Sequence, residues 1–201
     1  MTTPTHGRTA GTSWMAMYCL SLFAIALELA SQNPVHSVAS VFISRWDKAV
    51  IDKTPHELRD QLGIAVAKRT YRAYRGLLDS NRFQRLANAG APAQRLLWAS
   101  TGTKDPEASD ILYVTSLAAP NTVNTMQEGT LLAFANHGEI GPLLTANDNA
   151  EEMLARFNPA GTDVAALASD LQREGAKSFV DSWNDLMAGI ASKSATLQQP
   201  V

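Results

Sequence analysis

Leu96-Leu97-Trp98-Ala99 is an apolar run too short for a helix, held between Arg95 and Ser100. A run of that length with polar bounds is how a strand covered on both faces reads. It stops abruptly in Ser100-Thr101-Gly102-Thr103-Lys104-Asp105-Pro106, which offers hydroxyls, a permissive glycine and one cation. A buried strand ending in hydrogen-bond donors beside a positive charge is how parallel α/β proteins present themselves to phosphate or hydroxyl ligands. Such a strand needs helices around it, and the flanking sequence supplies them.

Ser37 to Ser44 (SVASVFIS) is β-branched, small or aromatic and predicts a strand that ends at Arg45. Thr54-Pro55, with Glu57 three residues on, has the form of a capping box and predicts a helix running to about Leu78. Asn81 to Asn88 reads as a short helix stopped by Gly90. Beyond the Leu96 strand, Ser109 to Leu117 reads as a helix and Thr122 to Met126 as another short strand. Gln127 to Asn136 is helical in pattern, and Asn147-Asp148 caps a segment from Ala150 to Phe157. Asp163 opens a last amphipathic helix carrying Val164, Leu167, Leu171, Phe179, Trp183 and Leu186, with a loose polar tail after Ser192. Strands alternating with helices predict parallel βαβ units. A barrel of eight such units takes ~250 residues, about 31 per unit. The 201 residues here could therefore hold about six units, yet three strand signals are visible. The chain reads as part of a barrel.

Composition narrows the function. Hydrophobic residues at 45% against 18% charged support a sizeable core. A net charge of −2, with no basic stripe or tail, argues against nucleic acid as a partner. Cys19 is the only cysteine, which excludes an internal disulfide and a cysteine-based zinc site, and fits a reducing, cytoplasmic compartment. His6, His36, His56 and His137 lack ligand spacing, so no metal centre is expected. Trp14 to Ala30 is apolar apart from Glu28 and predicts a buried helix, Met15, Met17, Leu20 and Leu22 being good helix formers. Ala24-Ile25-Ala26 would suit a secretory cleavage site, the competing reading, while a membrane span needs ~20 apolar residues. Trp46, Trp98 and Trp183 are expected in the core, and Glu151-Glu152 as solvated charge.

Taken together, Ser37-Val-Ala-Ser-Val-Phe-Ile-Ser-Arg45, Arg95-Leu-Leu-Trp-Ala-Ser-Thr-Gly-Thr-Lys104 and Asn121-Thr-Val-Asn-Thr-Met126 resemble the transaldolase family. They are most similar to the transaldolase half of fused transaldolase/phosphoglucose isomerase proteins. The resemblance runs from about Val35 to Ala188. It implies an eight-stranded β/α barrel, a TIM barrel, with these segments as strands six to eight. The chain would then divide into an apolar helical lead over residues 1–34, a partial barrel over 35–192 and a loose tail over 193–201. It implies transfer of a dihydroxyacetone unit between sugar phosphates of the pentose phosphate pathway, through a Schiff base on lysine, with no metal or organic cofactor. Ser40 and Arg45 match the family's sixth-strand serine and arginine, which contact the sugar and its phosphate. Ser100 matches a seventh-strand serine near the phosphate, and Lys104 stands where this branch carries a lysine. An arginine suits that role, since its fork of donors meets phosphate bidentately. Read from the residues alone, Arg45 could equally pair with Asp47 or Asp52. Ser40 could be a small residue in a packed barrel, Ser100 and Thr103 could cap a turn, and Asn124 could satisfy backbone.

The departure from the family concerns catalysis. The resemblance places the Schiff-base lysine on the fourth strand, with acids on the first and third, and residues 1–34 contain no lysine. Lys48, Lys53, Lys68, Lys177 and Lys193 sit among other charges and read as solvated. Lys104 is near a strand end but has no acid pair to move protons. The expectation is a chain that holds a sugar phosphate and is inactive alone. Two open sheet edges and an apolar face would be covered by the hydrophobic N-terminal segment, or completed by a second copy or a complementing chain, and the competing function is a non-catalytic interaction protein. No membrane partner is expected.

Overall fold

A computed structural model describes residues 36–146 and 149–197. Three parallel strands form one sheet in the order β1-β2-β3: β1 is Val38–Phe42, β2 is Arg95–Ala99 and β3 is Thr122–Asn124. Ser40 lies opposite Leu97, Phe42 opposite Ala99 and Trp98 opposite Asn124. The ladder continues past β1, where the Ile43 amide donates to the Ala99 carbonyl at 2.8 Å and the Ser44 amide to the Ser100 carbonyl at 3.1 Å. Helices fill the connections, as the alternating pattern requires. Between β1 and β2 come α1 (Ser44–Val50), a 3-10 turn (His56–Leu58), α2 (Leu62–Leu78) and α3 (Asn81–Asn88). α4 (Leu112–Ser116) joins β2 to β3, and α5 (Glu128–His137), α6 (Ala150–Ala155) and α7 (Val164–Leu197) follow.

Several boundaries differ from those expected. β1 is shorter because Ile43 already has helical backbone angles, φ −94° and ψ −63°, so Arg45 sits in the first turn of α1. The Thr54 hydroxyl caps nothing; it donates to the Val50 carbonyl at 2.7 Å. The helix expected from Thr54 is interrupted by Asp60, whose φ of 56° lies in the left-handed region, and α2 starts only at Leu62. β3 ends at Asn124 rather than Met126, and α4 is confined to Leu112–Ser116. α7 runs through Leu197, so residues 193–197, expected as loose tail, are helical. Gly90 does terminate α3, at φ +93°. The apolar segment Trp14–Ala30 and the Asn147-Asp148 cap lie outside the described residues.

One face of the sheet is covered. Val41, Ile43, Leu96 and Trp98 pack with Ile64, Ala67 and Tyr71 of α2 and with Tyr113 and Leu117. Trp98 is fully buried, and its indole N–H donates to the Leu117 carbonyl at 3.0 Å. A second cluster joins α1, α2 and α6 through Val50, Leu58, Leu62, Ala65, Leu154 and Phe157, with Trp46 half-buried against it. Glu151 is exposed, as expected, and pairs there with Arg69 and Arg72, tying α6 to α2. The side chains that alternate to the other face of β1, Val38, Ser40 and Phe42, are exposed. α7 packs against the second cluster through Val164 and Leu167 at its start, while further along it Trp183, expected inside, is 61% exposed.

Candidate functional site

Parallel strands place all their C-terminal ends together, and several polar side chains lie there. The Ser100 hydroxyl lies 3.1 Å from the Ser44 hydroxyl, joining the ends of β1 and β2. Ser100 adopts φ 111°, a left-handed value that a non-glycine residue holds only when its surroundings impose it. Next to it, the buried Thr101 hydroxyl shares its hydrogen between Asn124 Oδ1 at 2.8 Å and the Thr125 carbonyl at 2.9 Å. Asn124 therefore fastens the ends of β2 and β3, through a side chain rather than through backbone.

Arg45 points its guanidinium over the Phe42 ring, 4.1 Å from the centroid, a cation–π contact that keeps the charge on the uncovered side of the sheet. Neither Asp47 nor Asp52 takes it. Among the described residues no carboxylate lies within 4.0 Å of Arg45 or of Lys104. Ser40 lies on the face of β1 that also carries Phe42. Lys104 belongs to a separate polar group around Gly102. A methyl group placed on that glycine would lie 3.6 Å from Gln127 Oε1, 3.8 Å from Thr130 Oγ1 and 3.9 Å from Lys104 Nζ. Of the four residues expected in the site, the structure gives direct contacts that join Ser100 to Ser44 and Arg45 to Phe42. Ser40 stays on the strand and Lys104 on the loop after β2. Ser44, Gln127 and Thr130 are additions. Ser44 was visible as the polar residue before Arg45, whereas Gln127 and Thr130 lie 25 and more positions from Gly102 and give no local signal.

Behind this rim sits a buried carboxylate. Asp47, in α1, accepts from the Leu62 amide at 2.8 Å, the Gly63 amide at 3.1 Å and the Tyr113 hydroxyl at 2.8 Å. It thereby satisfies the first free amides of α2, the work expected of Thr54. Burial is the largest influence on Asp47 and lifts its pKa to about 6, against the lowering effect of its three donors. Burial first, then the Asp47 carboxylate, drives the Tyr113 phenol far above its usual pKa and keeps it a donor. Asp60, 3.5 Å from the same hydroxyl, is also raised, by burial and then by Asp105. This network anchors α1 and α2. Its hydrogen bonds run between Asp47, Tyr113 and the start of α2. Among the described residues no group of three or more His, Cys, Asp or Glu side chains is placed to hold a metal ion, and no helix is long and apolar enough to cross a membrane.

Comparison with known proteins gives this geometry a context. The sequence model of the Transaldolase/Fructose-6-phosphate aldolase family matches residues 16–190. A transaldolase of Parafrankia sp. (strain EAN1pec) is 47% identical over 167 residues, which cover 79% of this chain and 45% of the relative. One from Mycobacterium bovis (strain BCG / Pasteur 1173P2) is 42% identical, covering 78% and 45%. One from Thermobifida fusca (strain YX) is 41% identical over 190 residues, covering 88% and 52%. The chain spans about half the length of the curated relatives it matches.

Proposed function

The chain belongs to the transaldolase/fructose-6-phosphate aldolase family, and from that membership we propose that it is the sugar-phosphate-holding part of a transaldolase. On this reading β1, β2 and β3 are the sixth to eighth strands of a β/α barrel, and the described residues are its C-terminal portion. The observation that supports it is the Ser44–Ser100 hydroxyl pair at the C-terminal end of a parallel sheet, with Arg45 following Ser44 in sequence and Lys104 on the loop after β2, neither paired with a carboxylate among the described residues. Arg45 leaves the Phe42 ring or shares it to grip phosphate oxygens, and Lys104 adds a point charge. The two serines exchange their mutual hydrogen bond for bonds to the ligand, and Ser40 meets the sugar on the inner face. The dihydroxyacetone transfer itself needs a lysine amine and acids that the family carries on earlier strands. Without them the chain binds and does not turn over. No cofactor is required, and the single cysteine, Cys19, accords with a cytoplasmic setting.

Thermal unfolding with fructose 6-phosphate tests the reading, because a ligand that binds only the native state raises Tm. Tm is expected to rise with ligand concentration, and to rise less in Ser100→Ala. A Tm that ignores the sugar phosphate would contradict the proposal.

A further inference from the structure

Gly175 is where α7 last touches the rest of the fold. Among the described residues of the helix after Leu171, it alone is half-buried and all the others are exposed. What it meets is Arg45. A methyl group on Gly175 would stand 3.8 Å from Arg45 Nη1, and no other described atom outside the helix lies within 4 Å of that point. The same guanidinium lies over the Phe42 ring. Arg45 therefore touches an aromatic side chain of β1 and a bare turn of α7.

Glycine destabilises a helix interior relative to alanine. The backbone does not call for it here, since its φ lies outside the left-handed region. The charges around it follow a pattern. Leu171, Gln172, Ser178 and Phe179, three and four positions away, share its face of the helix and carry none. α7 is not short of acid, with Asp170, Glu174 and Asp181 within two turns. Asp170 pairs with Arg173 and Asp181 with Lys177, and among the described residues no carboxylate lies within 4.0 Å of Arg45.

We infer that Gly175 is a positioning residue for the anion site. Having no side chain on the face of α7 that meets Arg45, it leaves the guanidinium uncommitted, and the fork of donors stays available to an incoming phosphate. A carboxylate in that place would take the arginine for itself. The inference rests on the reading of Arg45 as the phosphate partner, and its test separates the two.

Gly175→Asp and Gly175→Asn differ in charge and hardly in size, and both residues suit a helix interior better than glycine. Circular dichroism should show unchanged helix content in each. Calorimetric titration of the full chain with fructose 6-phosphate, and separately with inorganic phosphate, should find the Asp variant binding at least tenfold more weakly than the Asn variant. With Arg45→Ala added to both, that gap should close to less than twofold, since the two positions act as a pair. Equal affinity of the Asp and Asn variants overturns the inference and leaves the phosphate reading standing. A gap of the same size with and without Arg45 overturns it too, because general repulsion would then explain the loss. Inorganic phosphate bound with the expected gap, and fructose 6-phosphate not bound, sinks the sugar-phosphate reading and upholds the role of Gly175. Binding of neither anion by the wild type overturns both.

Discussion

Asp47 is surrounded by donors and still driven toward its neutral form, because removal from water outweighs three hydrogen bonds. Its folded pKa of about 6 exceeds the ordinary 3.8, so between those values the folded state holds a proton that the unfolded chain has released. The stabilising contribution is thus full below about pH 4 and is lost as pH rises through 6. A shift of that size corresponds to roughly 3 kcal/mol at most. Urea unfolding of wild type and Asp47→Asn at pH 4 and pH 7 should show their difference moving by up to about that amount in favour of the variant at pH 7. A difference that does not change with pH would refute the assignment. Gly63 is a separate constraint on the same contact. A methyl there would stand 2.5 Å from Asp47 Oδ2 and 2.7 Å from the Ile43 carbonyl, so space rather than backbone freedom requires glycine. Gly63→Ala should cost about 2 kcal/mol or more by the same measurement, typical of overpacking compounded by a disturbed buried carboxylate.

At the level of elements, the ion pairs between α2 and α6 make a modest prediction. Glu151 meets Arg69 and Arg72 where all three side chains are substantially exposed, and its carboxyl is held below the usual range by Arg69 first. Glu151→Gln should destabilise by less than about 1 kcal/mol, shrinking further in high salt. The strands and longer helices were legible from sequence because their apolar periodicity is local: Leu96–Ala99, Asn81–Asn88 and the start of α7 stand where the pattern puts them. α1 was not legible. Its Ser44-Arg45-Trp46-Asp47 opening continues a β-rich run, and what turns the chain is Asp47 capping a helix fifteen residues away. The same long-range contact displaced the expected cap at Thr54. In the site, Ser100 and Lys104 were readable as the polar end of a buried strand. The meeting of Ser44 with Ser100, and the placing of Lys104, Gln127 and Thr130 around Gly102, depend on register and loop geometry that no local pattern encodes. Trp183 misled because an apolar stripe at helical spacing does not say which element, if any, covers it.

For the molecule as a whole, a buried core backs one face of the sheet, while the other face of β1 and the apolar stripe of α7 are exposed. The proposed reading predicts the outcome of reduction with borohydride in the presence of fructose 6-phosphate. The lone chain should gain no sugar mass on any lysine, because a Schiff base needs an amine whose pKa is lowered by burial or a neighbouring cation. An adduct found by mass spectrometry would place the reactive amine in this chain after all. The central claim, that the C-terminal rim of the sheet grips a phosphorylated sugar through Arg45, is tested most directly by calorimetric titration with fructose 6-phosphate. Wild type should bind one equivalent, and Arg45→Ala should bind at least about tenfold more weakly, the value of one charge-assisted contact, with its unfolding curve unchanged. Equal affinity in the two proteins, or no binding by either, would contradict the account.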